Sequence, residues 1–244
     1  VVLKKTKRKK RKNMKKISLL YKLLLVLLLA SCNTDEANLD VVPKGTDYFP
    51  FEKGRFVSYN VTETNYFLTE PTQNATYQLK EVMADAYKDL AGGTTYRIER
   101  YKRNNGRDNW VLLNVWTARM NYNAAVKVEE NVPFVKLVFP IELFKKWNGN
   151  SLNTQEEDSY EMRDFNKPVT FAGKNYNETL TVVQSNDSTL VGKDKRREIY
   201  ARGMGMIYKK SDVLVYCQFD NCRGKAEIER GNVLEMTIFD SGKE

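Results

Sequence analysis

From residue 54 onward, apolar and polar residues alternate in short stretches, the period-two pattern of strands with one buried face. Residues 54–61 begin the series. In 94–103, Tyr96 and Ile98 alternate with Arg97 and Glu99, and further on Val126 and Val128 alternate with Lys127 and Glu129. Residues 110–118 are apolar on both faces, with Trp110, Leu112 and Trp116 on one and Val111, Leu113 and Val115 on the other. That pattern predicts a strand covered on both sides. Runs at 134–139, 179–183, 198–209, 213–217 and 233–239 complete the strand set. Turn chemistry separates them at Asn104-Asn105-Gly106, Asn148-Gly149-Asn150, Asn186-Asp187-Ser188 and Arg230-Gly231-Asn232. Gly203 and Gly205 fall inside the 198–209 run, where they would permit a bulge or a close backbone approach.

Residues 77–90 depart from this pattern. Leu79, Val82, Met83, Ala86, Tyr87 and Leu90 fall on one helical face, and Gly92-Gly93 would end a helix well. Consistency with its neighbours nonetheless assigns the segment to a strand that pairs with 94–103. Many short strands, an aromatic share of 11% and frequent turns predict an all-β fold, mainly antiparallel. Its form is a single curved sheet, a half-barrel or a closed barrel.

The chain opens differently. Residues 17–30 form a short apolar run interrupted by Lys22, behind Met14-Lys15-Lys16 and ahead of Leu28-Leu29-Ala30-Ser31-Cys32. A membrane-crossing helix needs roughly 20 apolar residues, so the run has the dimensions of a signal peptide. Its end resembles the lipobox of bacterial lipoproteins, which implies cleavage before a lipidated Cys32. The expected organisation is a spurious extension at 1–13, a signal peptide at 14–31, an acidic tether at 32–46 and one β domain at 47–244. The tether carries Asp35, Glu36 and Asp40 and lacks a hydrophobic pattern. The lipid would hold the protein on the outer membrane, at its periplasmic face or at the cell surface.

This changes the meaning of the charge. The whole chain carries 40 Lys+Arg against 31 Asp+Glu, but 11 of those cations and none of the acids precede Cys32. The segment from Cys32 onward is slightly acidic, so nucleic acid is not an expected partner.

Histidine is absent from the chain. That removes Ser-His-Asp and Cys-His nucleophile pairs, a histidine base and histidine-bound metals. Arg202-Gly203-Met204-Gly205-Met206-Ile207-Tyr208 contains G-x-G but has Tyr208 at the third glycine position of the dinucleotide fingerprint. The acidic group Glu156, Glu157, Asp158, Glu161 and Asp164 lies in a polar stretch that suggests a solvated loop. No catalytic residue, metal or cofactor is expected, and no cleft in which two carboxylates converge. Cys217 and Cys222 flank Gln218-Phe219-Asp220-Asn221, where a tight turn would bring them to disulfide distance. Two free thiols are the alternative.

Three further stretches resemble a family of uncharacterised outer-membrane lipoproteins. Residues 48–59, YFPFEKGRFVSY, are similar to its opening YFPxxxGxxxxY. Lys146-Trp147-Asn148-Gly149-Asn150 matches its central KWNGN, and residues 198–209 match its closing ExYAxGxGxIYK, with Met204 where valine is usual. The resemblance implies a lipidated β domain and carries over no functional residues. Trp147 and Asn148 are a candidate binding surface, with an aromatic packed under a turn as the alternative. The expected function is non-enzymatic: binding of a ligand or partner through a β-sheet surface, with the membrane engaged through Cys32. A structural subunit of a surface complex and a histidine-free carboxylate hydrolase are the rivals. A large exposed apolar patch would favour the first rival, and an enclosed cavity would favour ligand binding.

Overall fold

Twelve antiparallel strands follow one another as an up-and-down meander. The computed structural model describes residues 45–90 and 92–244; Cys32 and the expected extension, signal peptide and all but the end of the tether lie outside the described residues. A 3-10 turn at Thr46–Tyr48 leads to β1 (Arg55–Tyr66), β2 (Gln73–Lys88), β3 (Thr94–Arg103), β4 (Val111–Asn121), β5 (Ala124–Glu129) and β6 (Val132–Val138). Then come β7 (Lys146–Asn148), β8 (Ser159–Phe171), β9 (Lys174–Ser188), β10 (Gly192–Ala201), β11 (Gly205–Tyr216) and β12 (Ile228–Lys243). Every hairpin pairs with its chain neighbour, and β1 pairs with β12 from Arg55↔Lys243 to Tyr66↔Gly231. The sheet therefore closes at the first and last strands and is interrupted in mid-chain, between β6 and β7.

That interruption is bridged without a ladder. The Val135 N–H donates to the Gly149 carbonyl at 2.9 Å, and the Trp147 indole N–H donates to the Val135 carbonyl at 2.8 Å. Asn153 adds a side-chain bond to the Pro133 carbonyl at 2.9 Å. The result is a sheet nearly closed into a barrel.

One end of the barrel is plugged by the segment before β1. Tyr48 and Phe49 are buried, with relative exposures of 0% and 9%, in a cluster with Leu137, Phe139, Met162 and Tyr200. The Gly203 N–H donates to the Asp47 carbonyl at 2.7 Å, Arg202 pairs with the Asp47 carboxylate at 2.5 Å, and the Tyr48 hydroxyl donates to Asn166 at 3.0 Å. A second cluster gathers Val57, Val61, Ile199, Ile207, Tyr208 and Ile238, and the β8–β9 hairpin adds Phe171, stacked on Tyr208 at 4.9 Å.

Several expectations need correction. Residues 198–209 are not one strand: β10 ends at Ala201 and β11 begins at Gly205, with Gly203 at φ 71° in the turn between them. Arg230-Gly231-Asn232 is not a turn but part of β12, paired to β1 and β11. The polar stretch around Glu161 contains the start of β8, in which Tyr160 and Met162 are buried on one face. Glu161 and Arg163 occupy the alternate positions, a half-buried strand start that the acidic composition hid. Residues 77–88 do form a strand, as part of β2, despite their helical spacing, because β1 and β3 supply ladders on both sides; Asp89 and Leu90 lie beyond its end.

The prediction that residues 110–118 are covered on both sides fails for their first half. Val111 is 66% exposed and Leu113 49%, and Leu112 and Val115 are exposed as well. The reason is register: β5 pairs with β4 only from Thr117 to Asn121, so the earlier part of β4 has β3 on one side and no strand on the other.

Candidate functional site

Inside the barrel, strands β1–β6 and β10–β12 surround a cavity of about 140 Å³. Strand periodicity decides what faces it. Residues two apart share a face, so Lys127 and Glu129 of β5 point inward together, as do Glu198 and Tyr200 of β10. Their side-chain neighbours Val126 and Val128 take the opposite face. In β5 the charged residues thus face the cavity, while Val126 is buried on the other face.

These groups form one ionic network. Lys136 Nζ lies 2.6 Å from Glu198 Oε1 and 3.5 Å from Glu129 Oε1. Lys127 Nζ lies 2.8 Å from Glu81 Oε2 and 3.9 Å from Glu129 Oε1. Arg100 Nε donates to Glu81 Oε1 at 3.0 Å, while its guanidinium sits 3.5 Å from the centre of the Trp116 ring, a cation–π contact. The Tyr200 hydroxyl donates to Glu198 Oε2 at 2.6 Å, and the Tyr59 hydroxyl to the Met206 carbonyl at 2.8 Å. Phe49 and Pro50 of the plug and Met83, Met206 and Met236 supply the apolar part of the wall.

The electrostatics hold the carboxylates ionised. Burial alone would raise their pKa values. For Glu198, burial is overcome by the charges of Lys136 and Lys209, and the carboxyl titrates below its ordinary range. Glu129 is driven down further, against burial, by Lys136, Lys209 and Lys127, and Glu81 is lowered, against burial, by Lys127 and Arg100. Burial opposes the charge of Lys136, yet Glu129 and Glu198 push its pKa well above that of a free lysine. Burial, together with the Glu198 charge and hydrogen bond, keeps Tyr200 protonated far beyond the ordinary tyrosine value.

The expectation that no two carboxylates converge is therefore overturned: Glu81, Glu129 and Glu198 border one cavity. They converge because lysine and arginine are interleaved with them. A carboxyl pair that hydrolyses glycosides needs one member protonated at working pH, whereas all three here are held in the anionic form.

The residues singled out from sequence are placed elsewhere. Trp147 packs edge-on against Tyr160, with ring centroids 5.8 Å apart. The Asn148 side-chain oxygen accepts from the backbone N–H groups of Asn150 (2.8 Å) and Asp158 (3.1 Å). Both belong to the junction between β6 and β7. Cys217 and Cys222 are joined in a disulfide, with Cα atoms 5.8 Å apart, in the connection between β11 and β12. None of these four borders the cavity. Sequence reasoning passed over Lys136, which stands alone among apolar neighbours in Val135-Lys136-Leu137-Val138. A lone lysine in such a run is the signal that would have found the site, since it must be paired to be buried.

No family model matches the chain, and no curated protein aligns with it. Among solved structures, it is similar to a presumed exported protein with a YmcC-like fold from Bacteroides fragilis. That match has 12% identity and a TM-score of 0.40, and covers 80% of this chain and 98% of the other. A presumed lipoprotein from Parabacteroides distasonis matches with 9% identity and a TM-score of 0.34, over 80% of this chain and 98% of the other. A presumed outer membrane lipoprotein-sorting domain from Vibrio parahaemolyticus gives 12% identity and a TM-score of 0.20, over 79% of this chain and 87% of the other.

Proposed function

We propose that this is a lipid-anchored protein of the outer membrane that holds a small ligand inside its β-barrel, without catalysing a reaction. The observation that carries the reading is the interior cavity itself, walled by Trp116, Tyr59 and methionines and floored by buried charge. Concave sites of mixed character, apolar with a few placed polar groups, are where ligands bind. The ionised state of Glu81, Glu129 and Glu198 supports binding over carboxyl-based hydrolysis. The lipobox-like Leu28–Cys32 segment supports the anchor, and the polar residues after Cys32 support a tether.

Native mass spectrometry of the protein purified from its producing membrane tests this reading. A retained small molecule is expected, and Met83→Trp, which fills the cavity, should abolish it. Empty wild-type protein that also takes up no small-molecule probe would remove the reading.

A second reading rests on a different observation. The unpaired half of β4 reads Val111-Leu112-Leu113-Asn114-Val115-Trp116, uncharged, apolar but for Asn114, and lacking proline. Natural edge strands usually carry charge or proline to prevent pairing. This one suits the addition of an uncharged, extended strand from a partner protein. Leu113→Lys should abolish capture of such a partner by crosslinking from position 111; unchanged crosslinking would dismiss the edge.

A further inference from the structure

The wall of the cavity is charged unevenly. Arg100, Lys127, Lys136 and Lys209 border it against Glu81, Glu129 and Glu198. Arg55 borders it too, but Glu52 engages that guanidinium at 2.5 Å and 3.1 Å. Arg100, Lys127 and Lys136 each have a glutamate oxygen within hydrogen-bond distance, at 3.0, 2.8 and 2.6 Å. Lys209 does not. Its ion pair is to Glu198 Oε1 at 3.6 Å, and that oxygen already accepts from Lys136. The other oxygen of Glu198 accepts from Tyr200.

Lys209 is also the most accessible of the four cations, with 22% of its side chain exposed. Lys209 thus shares its nearest counter-charge with Lys136, which holds the same oxygen more closely, so its ammonium keeps hydrogen-bonding capacity that a bound anion can use. The space beside it is of the right order: a cavity of roughly 150 Å³ accommodates benzene. Its methionines offer a soft wall that adapts to an apolar body.

We infer that the cavity binds a small organic monoanion, a carboxylate on a compact apolar body of about the size of a benzene ring, with Lys209 as its counter-charge. This rests on the reading of the cavity as a ligand site. The carboxylate takes the place at Lys209 Nζ that Glu198 leaves unfilled, and the apolar body lies against Met83, Met206 and Trp116. A neutral molecule of the same shape gains the apolar contacts alone.

Calorimetric titration of the full chain with benzoate and with benzyl alcohol separates the two levels. Benzoate should bind at least about ten-fold more tightly, the scale of one charged contact. Lys209→Met should remove that preference, while Lys209→Arg should keep it. Equal affinities for the two probes in the wild-type chain would overturn the anion inference and leave the ligand reading standing. Binding of neither probe would overturn both. A benzoate preference that survives in a folded Lys209→Met protein would overturn the role given to Lys209.

Discussion

Trp147 donates its indole N–H to the backbone carbonyl of Val135, 2.8 Å away, across the junction where two strands of the barrel meet without a ladder. The same residue of β6 gives its N–H to the Gly149 carbonyl at 2.9 Å. Trp147 of β7 and Gly149 just after it thus satisfy both backbone groups of Val135.

Trp147→Phe removes one of those bonds and leaves the buried Val135 carbonyl without it. An unsatisfied buried acceptor costs about 1–3 kcal/mol, and denaturant unfolding should show a loss of that size. Gly149→Ala should be at least as damaging. A Cβ there would meet the Tyr160 ring at 2.4–2.7 Å, and that ring is itself pinned under Trp147. Hydrogen exchange should show the change concentrated in β6 and β7.

The interior network gives stability a defined pH dependence. Glu81, Glu129 and Glu198 have folded pKa values below the ordinary glutamate value of 4.5. Their contribution is therefore complete above about pH 4.5 and is lost as pH falls through the folded values. Lys136 is raised above its ordinary 10.5, so its contribution is complete below that pH and is lost as pH rises through the folded value. The melting temperature should be flat between these limits and fall on either side. Lys136→Met should cost about 3 kcal/mol at neutral pH, because it leaves buried carboxylates under-paired. It should also make the acid limb shallower; an unchanged acid limb would show that Lys136 does not set these pKa values.

The pairing of Cys217 with Cys222 is open to direct measurement. Non-reducing peptide mapping of protein recovered from the envelope should find the two joined and two hydrogens lighter than after reduction. The loop they enclose is short, so reduction should cost only about 2 kcal/mol. Alkylation of both cysteines without reductant would contradict the bond.

Lipidation at Cys32 predicts that Cys32→Ser accumulates as an unprocessed precursor and does not take up labelled palmitate. Equal labelling of wild type and variant would remove the anchor from the proposal. Two or more acyl chains would make the attachment stable, at about 0.8 kcal/mol per buried CH₂.

Alternation by itself determined that the chain folds as antiparallel strands, because a residue's side in a strand depends only on whether its position is odd or even. The bounds of β3, residues 94–103, were readable in this way, and even β2, with its helical spacing, followed from its neighbours. What alternation does not carry is which side is the inside. Val126, Lys127, Val128 and Glu129 alternate just as a surface strand does, yet Lys127 and Glu129 face inward, since Glu81 and Lys136 wait there on strands distant in sequence. The same holds for coverage. Val111 and Leu113 have the composition of a buried strand and are exposed, because the length and register of β5 decide how far β4 is paired. Hydrophobicity and period are properties of a segment and are legible locally. Ion pairing, closure at Val135 and Gly149, and the cavity beside Lys209 arise only when segments far apart in the chain meet, so tertiary structure alone decided them.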